Sequence, residues 1–185
     1  MRRAENVFEG LRLIAKARCL FHSREDASAT MWKERELWSR AGLEPWKNDS
    51  SSAWYKTFLE TPVEALESAD AVGAYLVIDR ATLLRQTGLK NINRTTVFFE
   101  PQSKDDILMN SCYALHAPHA TGEKARIVKD FLEYTRSARG QRIISEFGSN
   151  QVGVPLFATL DEGFAQSKLA GGRPIHGKWN LPSKL

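Results

Sequence analysis

The stretch FHSREDASATMWKE, residues 21–34, places Ser23, Arg24, Ser28 and Thr30 where an apolar run gives way to a helix-forming segment. Such a junction has a specific chemistry. The first turn of a helix carries unpaired backbone N–H groups and a partial positive charge, and both attract anions. The hydroxyls of Ser28 and Thr30 add donors at that end. Arg24 adds a full charge on a planar fork suited to oxygen anions. Together these groups describe a seat for a compact tetrahedral oxyanion, held without covalent chemistry. The same residues also satisfy an ordinary helix start, because Asp26, Ser28 and Thr30 are all good caps and Arg24 can pair with Glu25 or Asp26 at the surface. Residues alone leave both readings open. YLVIDRAT, residues 75–82, repeats the pattern: a strand end, an acid, Arg80 and a helix start. In an open α/β sheet, Arg80 would point into the same cleft, beyond the carboxyl ends of the strands. The other reading is a salt bridge of Asp79.

Other chemistries lack their residues. Neither GxxxxGK[ST] nor GxGxxG occurs, no G-x-S-x-G elbow is present, and neither cysteine has an evident histidine partner, so no cofactor is expected. His116 and His119 form a close pair without a third ligand at a sensible spacing, so no metal site is expected. No residue presents itself as a catalytic base or nucleophile, and the chain reads as a binding protein rather than an enzyme. The net charge of +4 is spread among 22 acids without a long basic block. Nucleic-acid binding is therefore not expected. A non-catalytic interaction module with nucleic-acid or protein partners is the alternative, invited by five tryptophans, of which Trp32, Trp38 and Trp54 fall outside any strand platform.

The elements that must position the motif follow from periodicity. Asn6 and Glu9 cap a helix over residues 6–17, RCLF reads as a buried strand, and a second helix runs from Thr30 towards Gly42. TPVE at 61–64 is a capping box with proline at the first helical position, starting a helix that ends near Asp70. Strands are predicted at 72–78, 95–99 and 111–117, and Asp79 caps a short helix reaching Gly88. Two helices follow over 122–136, with Ala125, Val128, Phe131 and Leu132 inward, and over 138–147, with Gly148 closing the second. Alternation of this kind argues for an α/β fold, with a change of character near Asn110. Cys19 and Cys112 are expected to be buried thiols. No apolar stretch is long enough to span a bilayer, so no membrane insertion is expected. MRRAENVFEG lacks the apolar core of a secretory signal, which as written leaves the chain in the cytoplasm.

FHSREDASATMWKERELW resembles the S-R-G-D-x-S-G-T-H-x-x-E segment of tungstate-binding periplasmic-type solute receptors, including the extracellular versions in fungi. WY at 54–55, AYLVIDRATLL at 74–84, the Asn110–Tyr113 stretch, FLEYTRSARGQRIISEFG at 131–148 and VPLF at 154–157 match in the same order. The resemblance implies a type II periplasmic-binding-protein fold with one near-complete lobe plus the returning part of the other. Residues 1–109 would form the second α/β lobe, 110–160 the segment returning to the first, and 161–185 a C-terminal tail. Most of the first lobe, with its Thr/Ser-rich turn, has no counterpart, so the chain resembles a shortened form. The family match implies that Ser23, Arg24, Ser28, Ala29, Thr30 and Arg80 bind tungstate, molybdate or a related oxyanion. It also implies an extracellular or periplasmic location and a membrane transporter as partner. Glu25 and Ala29 stand where the family has glycine, and Met31 where it has histidine. These departures, with the absent lobe, predict weaker binding than in a two-lobed receptor.

Overall fold

The computed structural model describes residues 4–47, 53–111, 113–165 and 167. They divide into two units, residues 4–100 with Ser167, and residues 101–165. Cys112, the serine run at 50–52 and residues 168–185 of the expected tail lie outside the described residues.

In the first unit, α1 (Val7–Ala17) begins where the Asn6 side chain accepts the Glu9 N–H, and it buries Gly10, Leu11 and Ile14. The strand that follows, β1 (Phe21–Arg24), has all four residues buried. It therefore lies later than RCLF suggests and absorbs His22, Ser23 and Arg24. α2 (Ala29–Arg40) starts at the Ser28 cap. β2 (Tyr55–Phe58), which sequence pattern did not announce, runs parallel to β1 with Phe21 opposite Tyr55 and Arg24 opposite Phe58. Only Tyr55 of β2 is buried, so it has no apolar alternation to read.

α3 (Pro62–Val72) carries the complete Thr61–Glu64 capping box and ends on Gly73 at φ 70°, a left-handed turn that glycine adopts without strain. The helix thus consumes the start of the strand expected over 72–78. What remains is one parallel bridge, Tyr75 to Phe21, tied by His22 N–H to Tyr75 C=O at 2.7 Å and Tyr75 N–H to Leu20 C=O at 2.9 Å. α4 (Arg80–Gly88) then begins at its Asp79 cap. The spatial order is β2, β1, Tyr75 segment. From β2 the chain passes through α3 and reappears on the far side of β1, a reversal of direction of the kind that opens a crevice at the strands' carboxyl ends.

Strand alternation sends Phe21 and Ser23 towards α2 and His22 the other way. Phe21 meets Trp38 edge-on at 5.1 Å and stacks on Tyr55 at 5.6 Å, with Trp54 completing an aromatic cluster. His22 packs on Phe58 and bonds Glu60, which also accepts from Ser68 of α3. A second cluster, Leu66, Leu83 and Ile92 with Leu76, Ile78 and Val97, joins α3 to α4. Asp70 accepts the backbone N–H groups of Asn93, Arg94 and Thr95 and thereby fixes that loop.

The second unit holds α5 (Gly122–Arg136), α6 (Ala138–Glu146) and α7 (Ser149–Val152). Ala125, Val128 and Leu132 are half-buried, but Phe131 is 60% exposed, so it is not an inward residue. Gly148, at φ 88°, caps α7, one residue beyond the Phe147 cap of α6. No described residue of 95–99 or 111–117 belongs to a multi-residue strand; Val97 makes an isolated bridge. Helices alternate with short parallel extended segments in the first unit, an α/β architecture.

Candidate functional site

The turn between β1 and α2 is built around Arg24. As the last residue of β1 its side chain is held at the sheet's carboxyl edge, and it is 5% exposed. Nη2 donates to Ser28 Oγ at 2.7 Å and pairs with Asp26 Oδ2 at 2.9 Å. Ser28 in turn donates its hydroxyl to Asp26 Oδ1 at 2.5 Å and its N–H to the same oxygen at 3.1 Å. Its Oγ also accepts the Met31 N–H at 3.2 Å, which is the cap that starts α2. Nη1 of Arg24 is buried and has no hydrogen-bond partner among the described residues. A buried donor left without a partner is uncommon and costs about 1–3 kcal/mol.

The cap is therefore formed, and part of the donor set is left over. Asp26 and Ser28 cap the helix and engage one end of the guanidinium. Among the described residues the other end, Nη1, has no partner, and the N–H groups of Ala29 and Thr30 lie too early in the helix to have intrahelical acceptors. Burial works to raise the Asp26 carboxyl, but its bonds to Ser28 and the charge of Arg24 outweigh it and hold the group below the ordinary 3.8. Asp26 thus stays ionised and has both oxygens engaged. Ala29 is exposed and Thr30 half-buried. Among the described residues the non-glycine residues with positive φ are Arg18 and Lys90, so Ala29 sits in the helix start without strain. Glu25 is exposed, and its N–H is held by the Phe58 carbonyl at 3.0 Å.

Ser23 sits deeper than the sequence suggests. It is 1% exposed, its Oγ lies 3.0 Å from Tyr55 Oη and 3.7 Å from Met31 Sδ. Tyr55 Oη donates to Glu34 Oε1 at 2.8 Å. Glu34 closes the matched S-R-G-D-x-S-G-T-H-x-x-E segment and Tyr55 lies in the matched WY pair, but neither was assigned a role. A signal existed: Met31, Glu34 and Trp38 fall on one helical face, which puts a carboxylate in an apolar stripe. Burial pushes the Glu34 carboxyl from 4.5 up to about 7, against the opposing bonds to Ser23 and Tyr55 and the fields of Arg35 and Arg24. Burial likewise raises the Tyr55 hydroxyl, with Glu34 adding to the effect.

Arg80 is the first residue of α4 and is half-buried. Asp79 caps that helix through Thr82 N–H at 2.8 Å and Thr82 Oγ1 at 2.9 Å. Because the Tyr75 segment runs parallel to β1 and beside it, the starts of α2 and α4 both follow the carboxyl ends of adjacent extended segments. That is the crevice position for ligands in open α/β sheets. Elsewhere, Trp38 and Trp54 are buried in the aromatic cluster and Trp32 is 66% exposed. No group of three or more potential metal ligands occurs among the described residues, and no helix there is long and apolar enough to cross a membrane.

No family model matches the chain. Among known proteins it is 28% identical over 154 residues to the tungstate-binding protein TupA of Peptoclostridium acidaminophilum, covering 82% of this chain and 50% of that one. It is 30% identical over 159 residues to a provisionally named ABC transporter anion-binding protein of Haloferax volcanii, covering 83% and 43%. A crystal structure of a periplasmic protein, provisionally described as metal-binding, matches with a TM-score of 0.71 and 26% identity over 86% of this chain and 78% of that one. The chain spans about half the length of the relatives it matches in sequence. By likeness of sequence and fold together, it is similar to solute-binding proteins rather than to enzymes.

Proposed function

We propose that this chain is the oxyanion-recognising part of a solute-binding protein that takes tungstate, molybdate or a related tetrahedral dianion and serves a membrane transporter from outside the cytoplasm. The observation that carries the reading is Arg24, buried beside the Ser28 cap with one guanidinium nitrogen unsatisfied. Nη1, the N–H groups of Ala29 and Thr30 and the Thr30 hydroxyl supply the donors. Ser23 supports them from beneath, and Arg80 contributes from the start of α4 across the same crevice. The names of the relatives from Peptoclostridium and Haloferax support an anionic ligand and a transport role.

The reading includes weak binding. Asp26 already neutralises half of the Arg24 fork, and an incoming anion gains only what that internal carboxylate leaves. The ligand class follows from the same groups. A fully deprotonated oxyanion needs donors alone, whereas phosphate carries a proton at neutral pH and needs an acceptor. Asp26 has both oxygens engaged.

The test is the thermal midpoint of the purified chain with tungstate, molybdate, sulfate or phosphate at millimolar concentration. A hundredfold excess over Kd stabilises by about 2.7 kcal/mol. The expected result is a rise with tungstate or molybdate, little with phosphate, and none in Arg24→Ala. No rise with any of the four reduces residues 23–30 to a helix cap. Binding as tight as in a two-lobed receptor would overturn the weak-binding part.

A further inference from the structure

Glu34 is a buried charge that the anion seat itself does not account for. It faces inward from α2 at 2% exposure, with Oε1 2.8 Å from Tyr55 Oη, which is 3.0 Å from Ser23 Oγ. The groups acting on it come from three elements: Ser23 of β1 and Tyr55 of β2 through hydrogen bonds, and Arg24 at the end of β1 and Arg35 of α2 through their charges. His22 lies on the opposite face of β1, with Nε2 2.9 Å from Glu60 Oε2.

We propose that the site takes up its oxyanion together with a proton from solvent, and that the proton's acceptor is Glu34. The inference rests on the oxyanion reading above and deepens it. Arg24 is the buried cation at this place, with Asp26 in direct contact and Glu34 within its field. A bound dianion adds further negative charge in a region of low dielectric, where like charges repel far more strongly than in water. One carboxylate must then give up its charge. Asp26 is held ionised by the Ser28 and Arg24 bonds, while burial already brings Glu34 to about 7, so Glu34 is the group that yields.

The hydroxyl chain accommodates the change without losing a bond. With Glu34 ionised, Ser23 donates to Tyr55 Oη and Tyr55 donates to Glu34 Oε1. With Glu34 protonated, its O–H donates to Tyr55 Oη and Tyr55 donates to Ser23 Oγ. The Ser23 hydroxyl keeps its hydrogen and turns it towards Met31 Sδ, 3.7 Å away at the start of α2. The net reaction is one dianion and one proton bound per site, with no covalent bond made to the anion.

The experiment is titration calorimetry of the whole chain with tungstate, in buffers of different protonation enthalpy and from about pH 6 to about pH 8.5. The expected result is uptake of about one proton per anion above neutrality, with affinity falling by up to roughly tenfold per pH unit there. Glu34→Gln should bind with a flat profile and no proton uptake, while His22→Gln should keep the wild-type profile. Wild-type binding without proton uptake overturns the inference and leaves the anion seat standing, and this measurement needs no variant to fold. A pH profile kept in Glu34→Gln, or flattened in His22→Gln, also overturns it. Absence of tungstate binding at every pH overturns the seat and the proton linkage together.

Discussion

Replacing Arg24 by Met separates what the residue does for the fold from what it does for a ligand. Met keeps an apolar stem of comparable length and removes the guanidinium. The losses are the 2.7 Å bond to Ser28 and the 2.9 Å pair with Asp26, whose side chain is 28% exposed. A partly screened pair is worth about 1 kcal/mol, and a hydrogen bond to a charged group about 1.5–3 kcal/mol. Against these stands the relief of a buried donor without a partner, about 1–3 kcal/mol. The terms nearly cancel, so Arg24→Met should unfold within about 1.5 kcal/mol of the wild type. For a unit of this size that is a midpoint change of about 10 °C or less. Urea unfolding followed by tryptophan fluorescence reads the first unit directly, because Trp38 and Trp54 are buried in its aromatic cluster. The same variant should show no stabilisation by tungstate or molybdate. A loss above about 4 kcal/mol would refute the reasoning, because the ion pair would then be a strut of the fold and the unpaired nitrogen no real cost. Full anion stabilisation of Arg24→Met would refute it from the other side.

Three further outcomes follow from single contacts. Asp70 accepts three backbone N–H groups and the Thr95 hydroxyl, which outweigh its burial and hold its carboxyl below the ordinary 3.8. Its stabilising effect is present above that range and lost as pH falls through the lowered value, and Asp70→Ala should cost about 3 kcal/mol in urea unfolding at neutral pH. Glu34 has the opposite sign, because its folded-state carboxyl is raised from 4.5 to about 7. The folded chain then holds a proton that the unfolded chain has released, so stability should fall by about 3 kcal/mol as pH rises from about 4.5 to about 7. Glu34→Gln should flatten that limb of the stability profile. In the second unit, a Cβ on Gly140 would run into the carbonyls of Tyr134 and Thr135. Gly140→Ala should therefore loosen the α5–α6 corner, read as faster amide exchange over residues 122–146.

Elements that advertise themselves by local chemistry were legible in the sequence. The Asn6, Thr61 and Asp79 caps mark α1, α3 and α4 because a cap is a bond within a few residues, and the structure makes each of those bonds. Strands were less legible. β2 exposes Lys56, Thr57 and Phe58 and gains its place from pairing with β1 across more than thirty residues of chain, which no local pattern records. The segment at 72–78 reads as a strand from its β-branched and aromatic residues, but α3 claims Val72 and Gly73 turns the chain. Within the site, Arg24, Ser28 and Thr30 could be named from residue type. The depth of Ser23 and the contact between Tyr55 and Glu34 could not, because they depend on the unannounced strand.

The arrangement around Arg24 accounts for why one segment reads equally well as a cap and as a seat. A helix start needs one acceptor for the Met31 N–H and a carboxylate near its positive end, and Ser28 with Asp26 supplies both. That requirement would be met by an exposed lysine, or by no cation at all. Burying an arginine to 5% exposure behind the cap adds desolvation of a full charge that the cap itself does not need. Asp26 offsets part of it through Nη2, but Asp26 accepts nothing from Nη1. Glu34, close enough for its charge to be felt, yields its own ionisation near neutrality rather than acting as a fixed counter-ion. The fold thus holds a cation whose compensation is incomplete on one side and adjustable on the other. The oxyanion proposed above, bringing acceptors and no proton of its own, would complete it on both sides.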